Sequence, residues 1–308
     1  MVLIRFIAIF NQVLVLFLLV LLGFSFRKLE IVKPSIDQNL SGLVLNLTLP
    51  ALIITSMNYE FSSERLANLS SVFFITLAVY LLMISVSYLI RFILPSTEKE
   101  KDIYQFMIIF ANTAFVGYPV IDLIFGAEGI FLAAIYNAIF NLMIWTIGVF
   151  IINPRTSKQE FSAKQLLTPG IVAVMIGMLL FLFSIDLPGP ILTTLEKVGG
   201  TTTPLALFVV GSILAQIELS RIFTNFKLWL ITLLRLIVLP FFVLALLRSL
   251  PVNDLVLGVT VILTGMPVAV TAVIFAQEFG GDYELASEGI FLTTLLSGLT
   301  IPLMIYLL

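Results

Sequence analysis

Long apolar runs, punctuated by short polar clusters, follow one another from one end of this chain to the other. A helix needs about 20 apolar residues to cross the hydrocarbon of a bilayer. By that measure the pattern predicts ten spans, at about 4–26, 36–57, 67–94, 103–126, 128–152, 166–186, 191–216, 226–249, 253–277 and 286–308. The third is long enough to tilt or to project from the membrane. The longest connection, Asn153–Gln165 (NPRTSKQEFSAKQ), is too short to fold alone, so the expectation is a single membrane domain without a soluble appendage. The first run is too long for a signal-peptide core and lacks an Ala-x-Ala-like cleavage site, so it reads as a span.

Composition sharpens this picture. Of the 308 residues, 60% are hydrophobic and 11% charged, against about 45–50% and about 25% in soluble domains. A core of this length cannot bury so much apolar surface, so the surrounding solvent is expected to be lipid. The chain contains no Cys and no His. That removes disulfides, thiolate nucleophiles, His relays and nearly every zinc or iron site, and no cofactor is expected. The net charge of −2 is uninformative about partners, and no nucleic acid is expected among them.

Loop charge gives the orientation. Arg27, Lys28, Lys33, Arg91, Lys99, Lys101, Arg155, Lys158, Lys164, Arg221 and Lys227 fall in odd-numbered loops, against Arg5, Arg65, Lys197 and Arg248 on the other side. The expectation is a multi-pass protein of the inner or plasma membrane, with odd loops in the cytoplasm and both termini outside.

The two halves echo each other. EGIFL stands at Glu128–Leu132 and again at Glu288–Leu292, each followed by LMI, at Leu142–Ile144 and Leu303–Ile305. GYPV (Gly117–Val120) returns as GMPV (Gly265–Val268), and TLP (Thr48–Pro50) as TTP (Thr202–Pro204). Four echoes in one order read as a duplication, with repeats over 1–152 and 153–308. Five spans per repeat is an odd number, so the second copy enters from the opposite side, as in many secondary transporters.

Within span four the stretch ANTAFVGYPV (Ala111–Val120) places an Asn, a Thr, a Gly and a Pro where lipid-facing helices avoid them. An unpaired backbone group in hydrocarbon costs several kcal/mol, so such a break must face protein, water or ligand. Gly117 supplies backbone freedom, and Pro119 suits the first residue of a restarted half-helix. Thr264, Gly265, Met266 and Pro267 do the same in span nine. A lone proline reads as a kink; a Gly-x-Pro-Val pair in corresponding spans reads as two breaks. Each restarted half-helix carries about half a positive charge at its N-terminus. Two such ends brought together attract a small anion, above all a carboxylate, without any Lys or Arg.

NTAFVGYPV resembles the Asn-Thr-Gly-Phe-x-Gly-x-Pro signature of the auxin efflux carrier family, which holds plant and bacterial carriers of organic acids. The resemblance extends to LNLTLPALIITSM, TPGIVAVMIGMLL, TTTPLALFVVGSILA and GIFLTTLLSGLTIPL. Ala114 departs from it, standing where the family usually has Gly, which stiffens the break. The resemblance implies an all-α membrane protein of ten transmembrane helices, in two inverted five-helix repeats, with broken helices four and nine crossing. It also implies elevator-type alternating access against a scaffold of spans one, two, six and seven.

On this reading the substrate-binding residues are Asn112, Thr113, Gly117, Tyr118, Pro119, Thr264, Gly265, Met266, Pro267 and Asn141. Asp122, one turn past Pro119, either binds a coupled cation or is solvated near the outer surface. Arg235 either pairs with a substrate carboxylate or an acid inside the protein, or snorkels to the cytoplasmic face. Asn137 and Asn141 share a helix face, and Asn46 and Thr48 stand near Pro50; each either binds ligand or joins helices.

The function expected is therefore a secondary carrier of small organic anions, coupled to H+ or Na+ or to neither, with a homodimer possible by analogy. A sodium-coupled solute or bile-acid-type symporter of similar fold is the alternative, and an ion channel the next. A membrane enzyme lacks the necessary groups: apart from Asp122 and Glu278, each towards a span end, no acid falls near a span interior. No Gly-x-x-x-x-Gly-Lys loop is present to bind nucleotide.

Overall fold

The computed structural model describes residues 2–152, 167–217, 222 and 224–308, with the side chains of 2–9, 34 and 35 excepted. The connection Asn153–Gln165, with Arg155, Lys158 and Lys164, lies outside the described residues, as do Arg221 and the side chain of Arg5. The described residues form helices and no strand, with one isolated antiparallel bridge between Ala111 and Val268.

In chain order the α-helices are α1 (Val2–Lys28), α2 (Pro34–Leu43), α3 (Leu49–Ser56), α4 (Ser63–Ile93), α5 (Glu98–Ile109), α6 (Tyr118–Met143) and α7 (Val149–Ile152). They continue as α8 (Pro169–Leu182), α9 (Gly189–Gly199), α10 (Thr202–Leu214), α11 (Phe226–Leu233), α12 (Leu239–Arg248), α13 (Asp254–Thr264), α14 (Thr271–Phe279) and α15 (Tyr283–Leu307). Seven helical stretches among the described residues are long and apolar enough to cross a membrane, and Pro169–Leu182 and Asp254–Thr264 are shorter apolar helices. The longest stretch, Thr113–Ile152, turns at Gly126 (φ 58°, ψ −149°), where the apolar pattern ends span four and begins span five. That conformation is closed to side chains with a Cβ, so a glycine stands there.

Polar caps set the ends. Thr97 and Glu100 form a reciprocal capping box on α5: the Thr97 hydroxyl accepts from the Glu100 N–H, and the Glu100 carboxylate accepts from the Thr97 N–H at 2.8 Å. Asn225, Asn253 and Asp282 cap α11, α13 and α15 in the same local way. Arg91, near the end of α4, reaches the Asp102 carboxylate at 2.5 Å, Glu98 at 2.6 Å and the Gln105 side chain at 2.7 Å, tying α4 to α5.

Among the described residues, four π-helical turns interrupt the helices, at Val44–Thr48, Thr113–Gly117, Ile144–Gly148 and Leu234–Val238. Three have a proline two residues beyond them, at Pro50, Pro119 and Pro240. Proline has no N–H, so the carbonyl four residues back, inside the turn in each case, loses its partner. Widening the turn to i→i−5 bonding absorbs the defect without opening the helix.

Helix packing exploits small residues. A Cβ built on Gly211 of α10 would lie 1.8 Å from the Val20 carbonyl oxygen of α1, and one built on Gly23 would lie 1.9 Å from that of Phe208. The two backbones thus touch at paired glycines, the close approach that small residues allow between membrane helices.

Candidate functional site

The chain leaves helical geometry twice near the middle of the molecule, and the two interruptions bond to each other. After α5, Phe110 is extended (φ −105°, ψ 112°), and after α13 the chain stays non-helical until Thr271. The Asn112 N–H donates to the Pro267 carbonyl at 2.7 Å, and the Ala269 N–H donates to the Phe110 carbonyl at 3.0 Å. The Val268 N–H donates to the Thr293 hydroxyl at 3.1 Å, and that hydroxyl donates to the Gly289 carbonyl at 2.7 Å. Backbone groups freed by the interruptions are therefore bonded again across them, as a dry interior demands.

Helix resumes at different places from those the sequence suggests. Asn112, not Gly117, is the first cap: its side-chain oxygen accepts from the Phe115 N–H at 3.1 Å, and the π-turn begins at Thr113. Pro119 sits six residues later, inside continuous helix, because the widened turn has already accommodated its missing N–H. On the other side helix resumes at Thr271, after Pro267, which lies in the extended bridge. A proline pair thus marks the neighbourhood of both breaks without starting either half-helix.

Both resumed N-termini open into one cavity of about 340 Å³. Its walls bring Asn112 and Thr113 together with Asn137 and Asn141 of α6, Thr168 ahead of α8, and Thr271 of α14. Leu49, Phe140, Trp145 and Phe275 supply the apolar side, with the Trp145 and Phe275 rings 5.4 Å apart. The Thr113 hydroxyl donates to the Asn137 side-chain oxygen at 2.8 Å, and the Asn141 amide donates to the Asn137 carbonyl at 2.8 Å. Among the described residues that line the cavity, two have a buried side-chain polar atom without a partner: the Asn112 amide nitrogen and the Thr271 hydroxyl. No described residue of the walls is charged. Three of the four π-turns contribute to them, through Asn46, through Thr113 to Phe115, and through Ile144 and Trp145.

The other expected residues stand behind the crossing rather than on the cavity. Gly117 packs on Leu263 and Met266, and a Cβ there would come within 2.8 Å of the Leu263 side chain. Tyr118, Pro119 and Met266 are buried. The Thr264 hydroxyl is 3.5 Å from the Tyr136 hydroxyl, and Gly265 lies against Met304 and Pro240. Asp122 is half-buried and outside the cavity. Arg235 is completely buried, which excludes snorkelling, and its guanidinium donates to the Ile108 carbonyl at 3.3 Å. Thr271, Thr293, Trp145 and Phe275 were not among the expected residues. Thr293 directly follows the second EGIFL, and that repeat is the signal that could have found it.

The chain matches the family model described as "Membrane transport protein" over residues 8–305. It belongs to that family, the auxin efflux carriers. An uncharacterized transporter of Methanothermobacter thermautotrophicus is 26% identical over 294 residues, covering 95% of this chain and 96% of the relative. An uncharacterized transporter of Methanocaldococcus jannaschii is 24% identical over 299 residues, with the same coverage of 95% and 96%. Membership of a transporter family accords with an integral, multi-pass membrane protein rather than an enzyme.

Proposed function

We propose that the protein is a secondary carrier of small organic anions, and that it holds the substrate carboxylate in the cavity beside the Asn112–Pro267 crossing. The observation that carries this reading is the arrangement of that cavity: two helix N-termini open on it, Asn112 and Thr271 line it with a buried polar atom each left without a partner, and no described residue of its walls is charged. A helix N-terminus presents unbonded N–H groups and about half a positive charge, so two of them act together as a cation made of peptide. The volume suits a small molecule, and the apolar walls accommodate its carbon skeleton.

On this reading the helices amount to ten spans. The Gly126 turn separates spans four and five, and the shorter helices α8 and α13 serve as span six and the first half of span nine. The halves 1–152 and 153–308 are inverted copies, both termini face outward, and the body holding the crossing moves elevator-fashion to expose the cavity alternately. Protein reconstituted into liposomes is expected to exchange labelled small mono- or dicarboxylates saturably and without unitary currents. Absence of counterflow across a panel of such acids, from folded protein, would defeat the proposal.

A further inference from the structure

Arg235 poses a separate electrostatic question. It is fully buried, and its Nε and Nη2 have no hydrogen-bond partner among the described residues. The titratable groups that face it are the phenols of Tyr80 and Tyr136, and its neighbours at bonding distance are the Ile108 carbonyl (3.3 Å) and the Met83 sulfur (3.8 Å). A buried charge without a counter-charge is strongly unfavourable. Yet the residue sits in a π-turn that meets the end of α5 directly and the end of α13 only through intermediaries. Ile108 is in the last turn of α5. Tyr136, which faces Arg235, also meets Thr264, the last residue of α13, and Gly265 packs on Pro240, one turn and a half along from Arg235.

The C-terminus of α5 carries about half a negative charge, and the Ile108 carbonyl in its last turn accepts from the guanidinium. We infer that Arg235 is a positioning residue of the crossing: it caps the end of α5, so that the bridge at Ala111 and Val268 stays in register. The electrostatics of the crossing then divide in two. The positive ends at Thr113 and Thr271 face the cavity, and the negative end of α5 meets Arg235. Only the consequence for substrate rests on the carrier reading; the geometry stands without it.

The chain has no cysteine, which permits a direct test. Ala111 and Val268 form a non-hydrogen-bonded antiparallel pair, for which Cα atoms lie about 4.5 Å apart, within the usual disulfide range of about 4.4–6.8 Å. An Ala111→Cys/Val268→Cys protein in membranes is expected to cross-link rapidly under mild oxidation. Adding Arg235→Met should slow cross-linking of the folded, monodisperse fraction by about ten-fold, as expected from losing a charge-assisted bond. Arg235→Lys should restore most of the rate, because it keeps the charge and one donor. Should Arg235→Met not accumulate, Arg235→Gln serves instead: it keeps a polar side chain but loses the charge, and should also slow the reaction. Unchanged cross-linking in folded Arg235→Met, or in folded Arg235→Gln, overturns the inference, as does an Arg235→Lys protein no better than the methionine variant. A carrier that fails every uptake assay while showing these cross-linking rates would refute the transport reading and leave this one standing.

Discussion

The Asn112 N–H donates to the carbonyl of Pro267 at 2.7 Å, joining residues 155 positions apart across the two interruptions. The same Asn112 turns its side-chain oxygen onto the Phe115 N–H and leaves its amide nitrogen free beside the cavity. One residue thus ends one element, starts another and offers a donor to whatever enters between them.

Those duties separate by substitution. Asn112→Asp retains the capping oxygen, although burying its carboxylate should lower the melting temperature in detergent. It exchanges a free donor for a carboxylate, so uptake of organic anions should fall at least about ten-fold, the factor of one charge-assisted hydrogen bond. Asn112→Ala should lose both activity and about 1 kcal/mol of stability. Anion uptake near the native rate in the aspartate variant would show that the free amide is not a ligand.

Thr113 and Asn137 should be energetically coupled. Removing either partner breaks their 2.8 Å bond, and side-chain bonds between membrane helices average about 0.6 kcal/mol, with an upper value of about 1.7. A double-mutant cycle of Thr113→Val and Asn137→Ala, read by denaturation in mixed micelles, should give a coupling energy in that range. Strict additivity would mean that the bond contributes nothing.

Thr293 carries the second strand of the bridge. Thr293→Val preserves shape but removes the acceptor for the Val268 N–H, leaving a buried donor unsatisfied at a cost of about 1–3 kcal/mol. Amide exchange at Val268 and Ala269 should accelerate in the valine variant and remain slow in Thr293→Ser.

The α1–α10 contact should tolerate no added methyl group. Gly211→Ala drives a Cβ into the Val20 carbonyl and should destabilise the protein by about 1–3 kcal/mol. Gly23→Ala should do the same. Because both open one interface, the double variant should lose less than the sum, measurable by thermal unfolding.

Much of this fold can be read from the chain because lipid imposes long apolar runs and a glycine or proline within one is costly. The pattern ends span four at about residue 126, where Gly126 turns the backbone, and GYPV and GMPV lie at or within a few residues of the crossing. Two things were hidden. Proline signals a missing N–H but not how the helix absorbs it, so the π-turns moved the true restart from Pro119 back to Asn112. The cavity walls were hidden too: in a span apolar all round, periodicity cannot tell which face looks inward. Trp145 and Phe275 therefore carried no mark in the sequence, while Arg235 was conspicuous for its charge but not for its role.

Among the described residues, the walls of the 340 Å³ chamber hold amides, hydroxyls, peptide ends and hydrocarbon, and no group that ionises between acid and alkaline conditions. Peptide dipoles hold their polarity whatever the proton concentration. Walls of this kind pull equally in acid and in neutral surroundings, so acidity would act on an ionisable guest and not on the described residues that line the chamber.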